Sequence, residues 1–170
     1  MTDETGLAAI RRAERQDMTA IAAMAGEFHA FLAAMDDGDP AFDVEATAAK
    51  LERAGFGSKP LFSALIAEID SDPIGYAIYS IGFWADSFEG MVWLTDLFVR
   101  EAWRSRGVGG QLMHRLAATG RDEGCETVMW TVWTRNEAAQ RCYEQLGAVP
   151  LADELMMKWS ISPSRPREAG

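Results

Sequence analysis

The chain has 170 residues, 48% hydrophobic and 25% charged, enough for one domain that buries roughly 70% of its unfolded surface without disulfides or a structural metal. Sixteen Lys and Arg against 26 Asp and Glu give a net charge of −10, which argues against nucleic acid as a partner because phosphate contacts need a basic face. No run reaches the roughly 18 to 20 apolar residues of a membrane span, the first residues lack the basic and apolar regions of a signal peptide, and Cys125 and Cys142 are too few for a disulfide framework or a zinc site, so a cytoplasmic protein with no membrane partner is expected.

In chain order, residues 7–13 predict a strand, and Asp17 is placed to cap a helix whose apolar side is Met18, Ile21, Met24, Ala25, Phe28, Phe31, Leu32 and Met35. The polar run 36–40 breaks it, and Asp43 caps a second helix through Val44, Ala48, Leu51 and Ala54. Strands follow over 61–69 and 74–80, joined by a turn at 70–73, and then over 91–99, whose nearly continuous apolar character suits a central strand covered on both faces. From residue 100 the pattern reads loop, helix (107–121), strand (127–133), helix (136–146), with Gly147 as helix stop, and a last strand over 155–159. Strands 91–99 and 127–133 should be parallel neighbours, because a helix lies between them and parallel strands require such a crossover. A single domain over 1–161 and a disordered tail over 162–170 are expected. Charge is uneven: residues 1–90 carry 6 basic and 16 acidic side chains, and 91–170 carry 10 of each. An acidic half beside a half with an arginine cluster suits a cationic ligand on one side and an anionic one on the other, although a solvated acidic surface would look the same.

The densest chemical signal is Arg104-Ser105-Arg106-Gly107-Val108-Gly109-Gly110, set between the buried strand and the helix carrying Leu112, Met113 and Leu116. Glycines at this junction let successive N–H groups converge at a helix N-terminus, where a phosphate or pyrophosphate is favoured. A tight strand-to-helix turn without a ligand is the plain alternative. Spacing excludes the commoner nucleotide loops, since Gly110 is followed by Gln111 and Leu112 where a Lys-Ser/Thr pair would stand, and Leu112 occupies the third small position of a dinucleotide loop.

The segment Arg104-x-x-Gly107-x-Gly109 resembles the acyl-CoA loop of the GNAT N-acetyltransferases. Leu94-Thr-Asp-Leu-Phe-Val99 before it, Gly124-Cys125 after its helix, and Asn136-x-Ala138-x4-Tyr143-x3-Gly147 follow in the family's order, covering about residues 60 to 150, and the last segment is most similar to the diamine acetyltransferase branch, the spermidine/spermine type. The resemblance implies an α/β (α+β) GNAT fold: a mixed, mostly antiparallel sheet splayed between its fourth and fifth strands and flanked by about four helices. It implies acetyl-CoA as donor, its pantetheine paired with the backbone of Leu97, Phe98 and Val99 and its pyrophosphate on the N–H groups from Arg104 through Ser105, Arg106, Gly107, Val108 and Gly109 to Gly110. Asn136, Ala138 and Ala139 are carried over as contacts to the adenosine or pantetheine arm and Tyr143 as both a contact to the donor and the general acid, with a homodimer as the assembly. Without the resemblance, Asn136 is a helix N-cap and Tyr143 a core aromatic.

Acetyl transfer needs a neutral amine, and an alkylammonium of pKa about 10.4 is neutral only about once in 2500 at pH 7. Diamine acetyltransferases place Glu before the strand's Asp, whereas here the pair is Thr95-Asp96, and strict alternation sends Asp96 to the other face unless a bulge intervenes. Glu27, Glu89 and Asp86 are the remaining base candidates, and Glu27, Trp84, Glu89 and Thr95 the candidates for acceptor binding. His29 and His114 lie on different helices with no ligand at metal spacing, so no metal is expected. The expected reaction is acetylation of a primary amine on a small cationic acceptor, a diamine, polyamine or amino-acid derivative. An aminoglycoside-like or peptide amine, or a non-catalytic acyl-CoA-binding module favoured by Thr95, are the alternatives.

Overall fold

The computed structural model describes residues 8–36, 41–151 and 154–158. Two compact units divide the chain at Arg135 and Asn136. The first holds strands β1 (Ala9–Arg12), β2 (Ser63–Ile69), β3 (Asp72–Trp84), β4 (Glu89–Val99) and β5 (Cys125–Met129) with helices α1 (Met18–Asp36), α2 (Val44–Phe56) and α3 (Val108–Asp122); the second holds α4 (Glu137–Gln145). Five strands form one mixed sheet in sequence order, antiparallel throughout except for the parallel pair β4 and β5 that α3 connects.

One face of the sheet is covered by α1, whose Met18, Ile21 and Met24 are fully buried in a cluster with Ile66, Tyr76 and Phe98. That stripe follows the predicted 3-4 spacing as far as Phe28; Phe31, one turn on, is partly exposed. Helix α3 buries Val108, Leu112, Met113, Leu116 and Gly120. A Cβ on Gly120 would stand 2.5 Å from Val92 Cγ2, so glycine is what lets α3 approach β4 this closely. The β2–β3 hairpin closes on Asp70 and Ser71, both with positive φ (50° and 65°), the two-residue turn whose twist matches that of the flanking strands.

Three expectations are corrected. Asp17 is not the N-cap of α1. It closes a short 3₁₀ turn (Arg15–Asp17), and its carboxylate accepts from the Glu14 N–H at 2.6 Å and from Arg11 Nη1 and Nη2 at 2.7 and 2.8 Å. Arg11 also donates to Glu68 at 2.7 and 3.1 Å, so one guanidinium ties β1, the 3₁₀ turn and β2 together. The strand expected over 127–133 runs instead over Cys125–Met129, because Gly124, with φ 76°, turns the chain into the sheet at once and no ladder continues past Met129. Residues 154–158 form no strand, and Leu155, Met156 and Met157 are exposed; Trp159, Leu7 and the expected tail 162–170 lie outside the described residues.

The Arg11 hydrogen bonds hold the Asp17 carboxyl below its ordinary value, against the opposing effect of burial. A depressed folded-state pKa contributes stability that is fully present above the unfolded value of about 3.9 and lost as pH falls through the folded one. Asp17→Asn should therefore cost about 1.5–3 kcal/mol at pH 7, the range for hydrogen bonds to charged groups. In urea titrations the gap to the parent protein should narrow once the pH falls below about 4.

Candidate active site

Beyond its early residues, strand β4 loses a neighbour. The β4–β5 ladder pairs Gly90 with Cys125, Met91 with Thr127, Val92 with Val128 and Trp93 with Met129, and then stops, while β4 runs on to Val99. Residues 94–99, which include Leu97, Phe98 and Val99, thus lie beyond the last β5 pair, with no strand across from them on that side among the described residues, and an edge of this kind suits a ligand that can pair like a strand.

Within this stretch the register with β3 slips. Ile78 pairs with Asp96 but Tyr79 with Leu94, so Thr95 has no counterpart and forms a bulge. Thr95 is exposed, and Asp96 is turned to the face of Ile78, Tyr76 and Phe98, the side covered by α1. There the fully buried Tyr76 donates its hydroxyl hydrogen bond to Asp96 Oδ2 at 2.6 Å. Burial pushes the Asp96 carboxyl above its ordinary value, partly offset by the bonds from Tyr76 and the Leu97 N–H. The Tyr76 phenol is raised as well, by burial and by the charge of Asp96. Sequence reasoning had placed neither residue in the site. The signal was one acidic residue in the apolar run 91–99, which demands a buried partner, but bulges leave no mark in composition.

At the end of β4 the chain passes through a 3₁₀ turn (Glu101–Trp103) into the glycine loop. Arg104 does not offer its backbone donor to a ligand, since its N–H bonds Glu101 O at 3.1 Å. Its Nε donates to Val99 O at 2.9 Å, and its guanidinium lies 5.3 and 5.4 Å from the ring centres of Phe31 and Phe98. Arg106 stacks on Trp103 at 5.0 Å. Ser105 and Gly107 take left-handed backbone (φ 57° and 81°), and the first intrahelical bond runs from Gln111 N–H to Gly107 O at 3.0 Å. The N–H groups of Val108, Gly109 and Gly110 therefore sit at the open end of α3. A Cβ on Gly110 would meet nothing within 4 Å, and one on Gly109 only Val99 Cγ2 at 4.0 Å, so the chain's own packing does not require these glycines.

The acceptor candidates are not brought together. Glu27 is paired with Arg100 Nε at 3.1 Å, and Arg100 also reaches Asp72 at 3.5 Å. Glu89 pairs across the hairpin with Trp84, roughly 20 Å along the strand from Asp96 at about 3.3 Å per residue, near the exposed Phe83 and Phe88. His114 Nδ1 lies 2.7 Å from Gly110 O, and the His29 ring packs on Phe42.

In the second unit, Asn136 caps α4, its Oδ1 accepting from Ala139 N–H at 3.2 Å. Tyr143 is seven residues on, nearly two full turns, so the two share a helix face. Ala138 is exposed, Ala139 and Tyr143 are half-buried, and Gly147, with φ 85°, ends the helix as expected.

The sequence model of the acetyltransferase (GNAT) family matches residues 28–148. The chain belongs to that family. Over 119 residues, 65% of the chain and 17% of the relative, it is 34% identical to spermidine/spermine N(1)-acetyltransferase-like protein 1 of Homo sapiens. It is 30% identical over 112 residues to thialysine N-epsilon-acetyltransferase of Bos taurus, covering 61% of the chain and 65% of the relative. These GNAT relatives agree with the diamine-branch resemblance, although the chain spans less than two thirds of either relative's length. The fold is shared with an integron cassette protein from the mobile metagenome of V. cholerae, at TM-score 0.78 and 24% identity over 90% of this chain and 92% of that one.

Gly107 is the glycine of this loop that takes left-handed backbone. Gly107→Ala should cost about 1–2 kcal/mol, the penalty for an L side chain there. Gly110→Ala, with ordinary φ and open space, should cost nothing; chemical denaturation of the two variants checks the contrast.

Proposed function

We propose that the protein transfers acetyl from acetyl-CoA to a primary amine of a small cationic acceptor, a diamine, polyamine or amino-acid derivative, by direct attack within a ternary complex. The observation that carries this reading is the open edge of β4 over 94–99 leading directly to the helix end at Val108, Gly109 and Gly110. An elongated donor with amides at one end and a pyrophosphate at the other matches those two features in order. Leu97, Phe98 and Val99 would pair with its pantetheine amides, and the N–H groups beyond Arg104, with the Arg106 charge, would hold the pyrophosphate. Relatives named for spermidine/spermine and for thialysine support an amine acceptor.

The donor supplies an activated thioester. The chain must supply a site for the amine, a place for its proton, and a proton for the departing sulfur. Family resemblance assigns the last role to Tyr143 and contacts with the donor to Asn136, Ala138 and Ala139. A homodimer of single-domain protomers in the cytoplasm completes the reading. Thr95, where the diamine branch has Glu, favours a second reading as a non-catalytic acyl-CoA-binding module.

Release of CoA thiol from acetyl-CoA against polyamines, diamines, thialysine, aminoglycosides and short peptides, beside an acetyl-CoA binding titration, separates the readings: turnover of a cationic amine supports the enzyme, and binding without turnover supports the module. Tyr143→Phe should lower kcat by about 100-fold or more with acetyl-CoA binding largely intact, in the range for a general acid. Gly110→Asp should weaken acetyl-CoA binding by about tenfold or more through repulsion of the pyrophosphate. Its thermal midpoint should not fall, because an acidic residue in a helix's first turn is stabilising.

A further inference from the structure

We propose that two copies of this chain join edge to edge along residues 80–84 of β3, antiparallel about a twofold axis that passes through Gly82 perpendicular to the sheet. The two sheets then become one. The inference rests on the homodimer of the reading above and names its interface.

Strand β3 outruns its neighbour. Its pairing with β2 ends where Tyr79 meets Ser63, while its pairing with β4 continues through Ser80 with Trp93, Ile81 with Val92, Gly82 with Met91, Phe83 with Gly90 and Trp84 with Glu89. Residues 80–84 therefore form an edge with no strand across from it among the described residues, held extended and in regular register by β4. Such an edge is a template for another strand, and folded proteins normally guard it with charge, proline or a bulge. Ser80-Ile81-Gly82-Phe83-Trp84 carries no charge and no proline, and its ladder with β4 has no bulge. The outer strands of the same sheet do carry charge: β1 has Arg11 and Arg12, and β5 has Glu126.

The side chains beside this edge are apolar and open. Paired residues of neighbouring strands share a face, so Ile81 lies beside Val92, and Phe83 beside Gly90 and Cys125, on the side where α3 packs through Gly120. Val92 is fully buried there, but Ile81 is 48% and Phe83 62% exposed. Phe88, 77% exposed, stands edge-on to Phe83 with ring centres 6.3 Å apart, and its φ of 59° is a costly backbone state for a bulky side chain. Three large apolar groups thus flank an uncharged edge, the composition of a contact surface.

A second copy fits this edge by symmetry. The edge is bounded at one end by the start of β2 at Ser63 and at the other by the turn over 85–88, with Gly82 at its midpoint. Antiparallel pairing centred there sets Ile81 against the partner's Phe83 and Phe83 against the partner's Ile81, two cross-strand pairs of an aromatic with a β-branched side chain. It also brings each hairpin tip, with Asp86 and Phe88, to the head of the other copy's β2. There Leu61 is 73% exposed and the exposed Arg12 donates to Ser63 Oγ at 3.2 Å. Acid on one copy meets base on the other, and along the paired strands no like charges meet, although each chain carries −10 overall.

The test is sedimentation equilibrium of the parent protein, Ile81→Lys and Phe83→Lys across a dilution series, with far-UV circular dichroism and an acetyl-CoA titration of each. Both positions are exposed in the protomer, so the spectrum should be unchanged. The dimer dissociation constant should rise by about 100-fold or more, because an isologous contact counts each change twice. Acetyl-CoA binding should be unchanged, since the stretch 94–99 offers the donor the opposite edge of the β3–β4 hairpin. A second experiment leaves the contact in place. With the exposed Cys142 replaced by serine, Ile81→Cys and Phe83→Cys proteins are oxidised separately and as an equal mixture. Directly opposed Cα atoms stand about 4.5–5.5 Å apart, within disulfide range, whereas like positions of the two copies would be about 7–8 Å apart, beyond it. The mixture should therefore form the 81-to-83 bridge, mapped by mass spectrometry, severalfold faster than either protein alone. A dimer that survives both lysine variants, or a mixture that cross-links no better than its components, would overturn this interface and leave the homodimer standing. A parent protein that is monomeric throughout the series would overturn the homodimer and the interface together, and turnover of an amine by that monomer would still support the enzyme.

Discussion

The constraint on which the rest of this structure depends is the end of a hydrogen-bond ladder. Backbone N–H and C=O groups inside a protein are almost always paired, yet β4 continues six residues past its last partner on β5. Its other edge is held by β3 as far as Val99, across the one-residue bulge at Thr95, so the stretch stays extended instead of fraying. Helix α3 must then leave from the end of β4 and return to the start of β5, and the contact that glycine permits at Gly120 keeps it tight against Val92. An open strand edge and a helix N-terminus thereby become neighbours through connectivity alone, with Val99 as the last residue of one and the Arg104 Nε bond to its carbonyl as the first tie of the other.

Electrostatics is distributed to match. The Arg11 node with Asp17 and Glu68 is a bidentate arrangement remote from the open edge, and it lowers the pKa of its aspartate. Asp96 lies on that edge, half-buried beside the fully buried Tyr76, and burial raises the pKa of this aspartate. The same residue type is driven in opposite directions by its partner: a guanidinium favours the charged form strongly enough to outweigh burial, and a single neutral phenol does not.

Much of the fold was legible in the sequence. The stripe of Met18, Ile21 and Met24, the Asp43 cap, the hairpin at 70–73 and the parallel crossover between β4 and β5 all follow from periodicity, capping and chain direction, which are local properties. The glycine loop was legible too, because left-handed backbone at Gly107 has a one-letter signature. What the sequence hid depends on partners distant in the chain. Asp17 looks like an N-cap until Arg11 and the Glu14 N–H claim its carboxylate, and Trp130, Val132 and Trp133 look like strand residues until the ladder that would make them one stops at Met129. The Thr95 bulge is the clearest instance: one unpaired residue reversed the face assigned to Asp96, and only the pairing with Ile78 reveals it.

Arg104 is fastened at once to the carbonyl of Val99 and to two aromatic faces, one of them Phe31 on α1, more than seventy positions earlier in the chain. The shape of the glycine loop is therefore set partly by a helix that belongs to a different stretch of sequence. Lysine at position 104 would keep the charge and lose the planar group that stacks, and a small side chain at position 31 would leave that plane uncovered on one side. The two positions are thereby coupled across the fold, and a change at either one alone gives up the contact that joins the loop to α1.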